Sequence, residues 1–219
     1  MSARLFTRWQ EAEERFACNG YNGESKAPLY EAQSRDHVLM LTSIHGVNHP
    51  RDGRVKTADR MTGGLVDVLG REYGLPTFHN CRFAPELEPS EELTPAEQHI
   101  FSQPIPPLVL DIHAAKPDCG FDLCVGTGPW EPSMAQEMLF KRLRGFAQGH
   151  NLHCALNVPN YSALIRPAMT RRVKERGFDG MVQLEINTLL LRSSGYTVKV
   201  AALLHTFNLL AASFEAARN

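Results

Sequence analysis

The chain has 219 residues, enough to bury a sizeable core within a single domain, and its 43% hydrophobic content includes no apolar run long enough to span a bilayer. With 23 Lys+Arg against 24 Asp+Glu, the formal net charge of −1 gives no global electrostatic reason to expect nucleic acid or an anionic membrane, so the expected partner is a small molecule. Cys18, Cys81, Cys119, Cys124 and Cys154 form no CxxC pair, which argues against a zinc ribbon or a disulfide framework and for buried thiols.

The chain opens on MSARLFTRWQEAEERF, which lacks a secretory hydrophobic region and makes the cytoplasm the expected location. Leu5, Trp9, Ala12 and Phe16 recur at helical spacing, so residues 4–17 are predicted as an amphipathic helix. Residues 38–44 are nearly continuously apolar and read as a buried strand, ended by Gly46 and Pro50. A helix is predicted over 57–73, with Met61, Leu65, Val68 and Leu69 on one face and Gly74 as its stop. Residues 75–78 form a short strand and 80–93 an irregular loop. Thr94-Pro95-Ala96-Glu97 has the capping-box form and starts a short helix. Residues 107–114 and 121–125 follow as strands, and Gly126-x-Gly128 is a turn. Ser133 caps a helix running to Gly149, after which 152–156 reads as a strand, 166–176 as a short basic helix, 181–187 as a strand and 198–217 as a closing helix. Strands alternating with helices imply one α/β domain with a mainly parallel, mixed sheet flanked by helices.

Three of these strands carry chemistry near their C-terminal ends, where loops in open α/β sheets form the ligand crevice. They are SIHGVNHP with His45, LDIHAA with His113, and VQLEIN with Glu185. Neutral imidazoles suit zinc, and a catalytic zinc takes three protein ligands. His45 and His113 supply two. The third is one of Asn48 or His49, with Asp52 slightly further round the turn as another option. Glu185 is the natural general base, because a carboxylate in an apolar strand has a raised pKa and can take a proton from water at the metal. Arg166 is a carboxylate-binding candidate through its guanidinium fork. No GxSxG elbow is present, which disfavours serine hydrolysis.

The order of SIHGVNHP, LDIHAA, DLCVGTG, LNVPNYSALIRP and VQLEIN resembles the N-formylglutamate amidohydrolase family, a branch of the zinc-carboxypeptidase-like fold that also includes aspartoacylase and succinylglutamate desuccinylase. The resemblance covers roughly residues 38–191. It implies a zinc-dependent amidohydrolase in which His45 and His113 are ligands and Glu185 activates water against an amide of a small, carboxylate-bearing substrate such as an N-acyl amino acid. It further implies that Asn157 and Tyr161 line the pocket and that Arg82 holds the substrate carboxylate. Where relatives have HxxE this chain has Asn48 in the glutamate's place, and the Asp-Leu-Asn-Arg segment of relatives is replaced by CRFAPELEPSEE. The alternative expectation is a member that has lost strong metal binding and acts as a small-molecule or partner-binding protein.

Overall fold

The computed structural model describes residues 2–85, 92–103, 108–164, 168–191 and 198–216. Helix α1 (Ser2–Tyr21) leads to strands β1 (Tyr30–Gln33) and β2 (Leu39–Ser43), then a hairpin of β3 (His49–Arg51) and β4 (Arg54–Lys56). Helix α2 (Thr62–Tyr73), β5 (Thr77–Asn80), α3 (Pro95–Phe101), β6 (Leu108–Ala115) and β7 (Leu123–Gly126) follow. The chain continues through α4 (Met134–Gly149), β8 (Cys154–Leu156), α5 (Met169–Glu175), β9 (Met181–Asn187), α6 (Thr188–Leu191) and α7 (Val198–Ala216). Strands β1, β3, β4 and helix α6 were not expected from the sequence.

Seven strands form one sheet in the order β1-β5-β2-β6-β9-β7-β8. It is parallel except where β1 pairs with β5 and β7 with β9. This is the mainly parallel, mixed α/β sheet that the alternating pattern implied. Its central strands look uniformly apolar because both faces are covered. Leu39 and Leu41 of β2, Leu110 and Ile112 of β6, and Val182, Leu184 and Ile186 of β9 join the core made with α1, α2, α4 and α7. The intervening Met40, Val109 and Met181 point to the opposite face, under Ala96 and Ile100 of α3 and Met169 and Val173 of α5.

This second face changes character along the strands. Side chains two residues apart share a face, so beyond Met40, Val109 and Met181 it presents Thr42, then Asp111 and His113, then Gln183 and Glu185. The smaller apolar layer therefore gives way to buried polar groups at the C-terminal ends of β2, β6 and β9. Two helices on this face are tied together: Glu97 of α3, fully buried, receives both Nε (2.7 Å) and a terminal nitrogen (2.9 Å) of Arg172 in α5.

Helix α2 starts at Thr62, later than its apolar spacing suggests, because α1 takes hold of the segment before it. The Glu13 carboxylate accepts hydrogen bonds from the Met61 (2.6 Å) and Gly64 (2.8 Å) amides, and Trp9 Nε1 donates to the Met61 carbonyl at 2.8 Å. Two otherwise unpaired donors near the helix N-terminus are thus satisfied by a neighbouring helix. The approach is close enough that a Cβ at Gly64 would lie 2.7 Å from the Glu13 backbone, and one at Gly63 would lie 2.7 Å from the Phe16 ring. Met61 itself is left-handed, with φ 71°. Residues 57–61 are consequently a fixed loop, and it carries Asp59 toward the polar ends of the strands. Among the described residues no helix is long and apolar enough to cross a membrane.

Candidate metal centre

His45 leaves β2 just after its last residue, and His113 lies near the end of β6. The fixed loop before α2 brings Asp59 between them. His113 Nδ1 is 2.9 Å from Asp59 Oδ2 and 3.2 Å from His45 Nδ1, and His45 Nδ1 is 3.6 Å from the same Asp59 oxygen. Bonds of about 2.0–2.1 Å at tetrahedral angles place zinc ligand atoms about 3.3 Å apart. The three donors already form such a triangle, and two nitrogens with one carboxylate oxygen are a fitting ligand set for a divalent ion.

Asp59 is anchored from its backbone as well. Its N–H donates to the His45 carbonyl at 2.8 Å, and its own carbonyl accepts from Thr62 Oγ1 at 2.6 Å. His113 is held from behind, with Nε2 2.8 Å from Asp111 Oδ2, while Asp111 Oδ1 accepts a hydrogen bond from Thr42 Oγ1 at 2.6 Å. Asp111 and Thr42 are cross-strand partners in β6 and β2, so sheet register sets this relay. A carboxylate on the second nitrogen fixes which ring nitrogen faces the centre and makes it a better donor.

The electrostatics follow from burial and charge together. Burial opposes a charge on His113, yet Asp111 and Asp59 overcome it and raise its pKa well above the usual value. Burial and the His113 charge lower His45 to about 4 against the pull of Asp59. Asp59 resists ionisation through burial, but hydrogen bonds from the two histidines hold its carboxyl well below the usual carboxylate range. Glu185 lies on β9 opposite His113 in register, and its Oε1 accepts from Gln183 Nε2 at 2.6 Å. Burial pushes Glu185 up to about 7 despite the nearby charges of His113 and Lys56. A carboxyl poised there can exchange a proton near neutral pH.

These groups line a cavity of about 620 Å³, the size of a small-ligand site. Of the residues singled out in the sequence, His45, His49, His113, Tyr161 and Glu185 meet there. His49 is buried and stacks on His45 with ring centroids 3.7 Å apart, and among the described residues neither of its ring nitrogens has a hydrogen-bond partner. The donor triangle includes Asp59 instead of His49. Asn48 does not line the cavity: its amide donates to the Gly20 carbonyl and Asn22 Oδ1, and its oxygen accepts from the Ala58 N–H. It serves to fasten the loops around the centre. Asp52 sits at the exposed tip of the β3–β4 hairpin with φ 53°.

Arg82 does not line the cavity either, and its Nε donates to the Ala27 carbonyl at 3.1 Å. Asn157 is engaged with Thr127, accepting from its N–H and donating to its Oγ1, each at 3.0 Å. Arg166 lies outside the described residues. Asp59 is masked in the sequence because helical spacing runs back through it, although Gly63-Gly64 immediately downstream is a sign of a later start. Asp111 carries a signal that the sequence does offer, since its place two residues before His113 puts both on one face of a strand.

A second group of donors, Glu31, His79 and Cys81, gathers at the β1–β5 edge. There the Arg15 guanidinium takes the place of a cation, 2.8 Å from Glu31 Oε2 and 2.7 Å from His79 Nε2.

No protein-family model matches the chain, and no curated protein matches it. Solved structures do. A bacteriophage poly-gamma-glutamate hydrolase aligns at 12% identity over 88% of this chain and 93% of its own, with a TM-score of 0.56. The gene product Atu2144 from Agrobacterium tumefaciens aligns at 15% identity over 92% of this chain and 99% of its own, with a TM-score of 0.53. At these identities the likeness is one of fold, and it extends over nearly the whole of each chain.

Proposed function

We propose that this protein is a metal-dependent hydrolase that cleaves an amide bond in a small, carboxylate-bearing substrate such as an N-acyl amino acid, in the manner of the N-formylglutamate amidohydrolases. The observation that carries the reading is the triangle of His45, Asp59 and His113 beside a buried carboxyl on the adjacent strand. These three residues would hold the ion, and their two nitrogens and one oxygen favour zinc. A divalent cation bound there would supply Lewis acidity, polarising a carbonyl oxygen and easing deprotonation of water.

The chain's own groups do the rest. Glu185 takes a proton from the attacking water and returns it to the departing amine nitrogen, a double role suited to a pKa near neutrality. Gln183 orients Glu185 by its hydrogen bond. Thr42 and Asp111 hold His113 in place. Tyr161 lines the substrate cavity. A fold shared with a hydrolase of poly-gamma-glutamate, a chain of amides bearing carboxylates, is in keeping with this class of reaction.

The test is hydrolysis of a panel of N-acyl amino acids by zinc-supplied protein beside Glu185→Gln. Loss of the general base should lower kcat by roughly 10²–10⁴-fold while the melting temperature is preserved. Unchanged turnover in the variant would remove Glu185 from the mechanism.

A further inference from the structure

The donors at the β1–β5 edge take no part in the centre above the strand ends. Glu31 of β1 and His79 of β5 are direct antiparallel partners, and the pairing carries on past β5, where the Cys81 N–H donates to the Leu29 carbonyl at 3.0 Å. Residues opposite one another, and residues two apart, share a face of a sheet, so backbone register alone brings a carboxylate, an imidazole and a thiol together. Glu31 Oε2 and His79 Nε2 are 3.4 Å apart, close to the ~3.3 Å that zinc bonds at tetrahedral angles require. The Cys81 sulfur lies within 4.8 Å of both, so a side-chain movement of about 1 Å closes the set. His79 is fully buried and Cys81 nearly so, whereas the Glu31 side chain is 32% exposed and opens the cluster to solvent.

The present occupant is the Arg15 guanidinium, with one terminal nitrogen 2.8 Å from Glu31 Oε2, 2.7 Å from His79 Nε2 and 3.8 Å from Cys81 Sγ. A guanidinium can only donate, so His79 meets it with the lone pair of Nε2 and carries its ring proton on Nδ1. A metal on Nε2 needs that same tautomer. Arg15 itself is held incompletely: its Nε is buried with no hydrogen-bond partner among the described residues, and a partly exposed ion pair such as Arg15–Glu31 contributes little. Burial pushes the Cys81 thiol up to about 12, so it stays protonated until a metal takes the place of the proton.

We infer that Glu31, His79 and Cys81 form a second metal site, for a zinc-like divalent cation that displaces the Arg15 guanidinium. A carboxylate oxygen, an imidazole nitrogen and a thiolate sulfur are all zinc ligands, and the thiolate selects against magnesium and calcium. On binding, the thiol proton leaves to solvent, the ion bonds the three side chains and a water completes its coordination. Arg15, whose side chain is 28% exposed, swings outward from α1. The bound ion clips the edge strand β1 to β5 and shares no residue with the His45–Asp59–His113 centre.

The probe is cobalt(II), which reports thiolate ligation through a sulfur-to-metal charge-transfer band in the near ultraviolet. The His45–Asp59–His113 centre contains no sulfur and cannot give that band, so the two sites are read separately. Metal-free full chain is titrated with cobalt(II) under reducing conditions. The band should grow in with the wild type, disappear when zinc is added, and be absent from Cys81→Ser. Arg15→Ala should reach half-maximal signal at roughly tenfold lower cobalt, because no guanidinium has to leave, and Glu31→Gln, at the exposed edge, should need roughly tenfold more. No band in the wild type at millimolar cobalt, even where Arg15→Ala shows one, would make the guanidinium the permanent occupant and overturn the inference. A band that survives in folded Cys81→Ser belongs to another thiol and would overturn it equally; should that variant fail to fold, an unshifted titration in Glu31→Gln would do the same.

Discussion

At the scale of single residues, the centre depends on a few side chains whose charges are set by their neighbours. Glu185 is raised to about 7 by burial, so it is a base only above its pKa. Activity should fall on the acid side as pH drops through about 7, or somewhat lower when a bound cation stabilises the carboxylate. A pH profile of kcat/KM with its acid limb tracking Glu185, and absent from the residual activity of Glu185→Gln, is the expected outcome. Asp111 acts one step back from the ion. Its carboxylate holds His113 Nε2 and is itself held by Thr42, so Asp111→Asn should weaken metal affinity by about 10–100-fold without unfolding the protein. Competition with a chromogenic chelator measures this, and unaltered affinity would make Asp111 a packing residue.

At the scale of elements, the site is assembled by the ends of three strands and by one loop that a neighbouring helix holds out of helical geometry. The strands were legible because burial on both faces leaves long apolar runs, and the histidines and Glu185 stand out against them. The capping box at Thr94 was legible too, and the structure shows both of its hydrogen bonds. Asp59 was not legible, because what fixes its loop is Glu13 and Trp9 reaching across from α1, a tertiary contact that leaves no local pattern. The β3–β4 hairpin was hidden for a similar reason: its strands are only three residues each, too short to show alternation. The floor of the smaller layer rests on Glu97 and Arg172. Glu97→Gln leaves the mostly buried Arg172 guanidinium without its counter-charge and should cost about 2–4 kcal/mol in urea denaturation. A loss well under 1 kcal/mol would show that the pair is dispensable to the packing of α3 against α5.

At the scale of the whole molecule, a mixed seven-stranded sheet carries a cavity above the ends of its central strands. The same fold spans nearly all of the phage poly-gamma-glutamate hydrolase, although few residues are shared. Asn48, one of the two residues expected as third ligand, instead holds the Ala58 N–H outside the cavity, and Asp59 joins His45 and His113 from the loop before α2. His45, Asp59 and His113 are proposed to hold one divalent ion. Elemental analysis of protein purified without chelator or affinity nickel, beside Asp59→Ala and Asn48→Ala, tests it most directly. About one zinc per chain is expected in the wild type and in Asn48→Ala, and loss of it in Asp59→Ala. Full occupancy in Asp59→Ala, or none in the wild type after zinc is supplied, would contradict it.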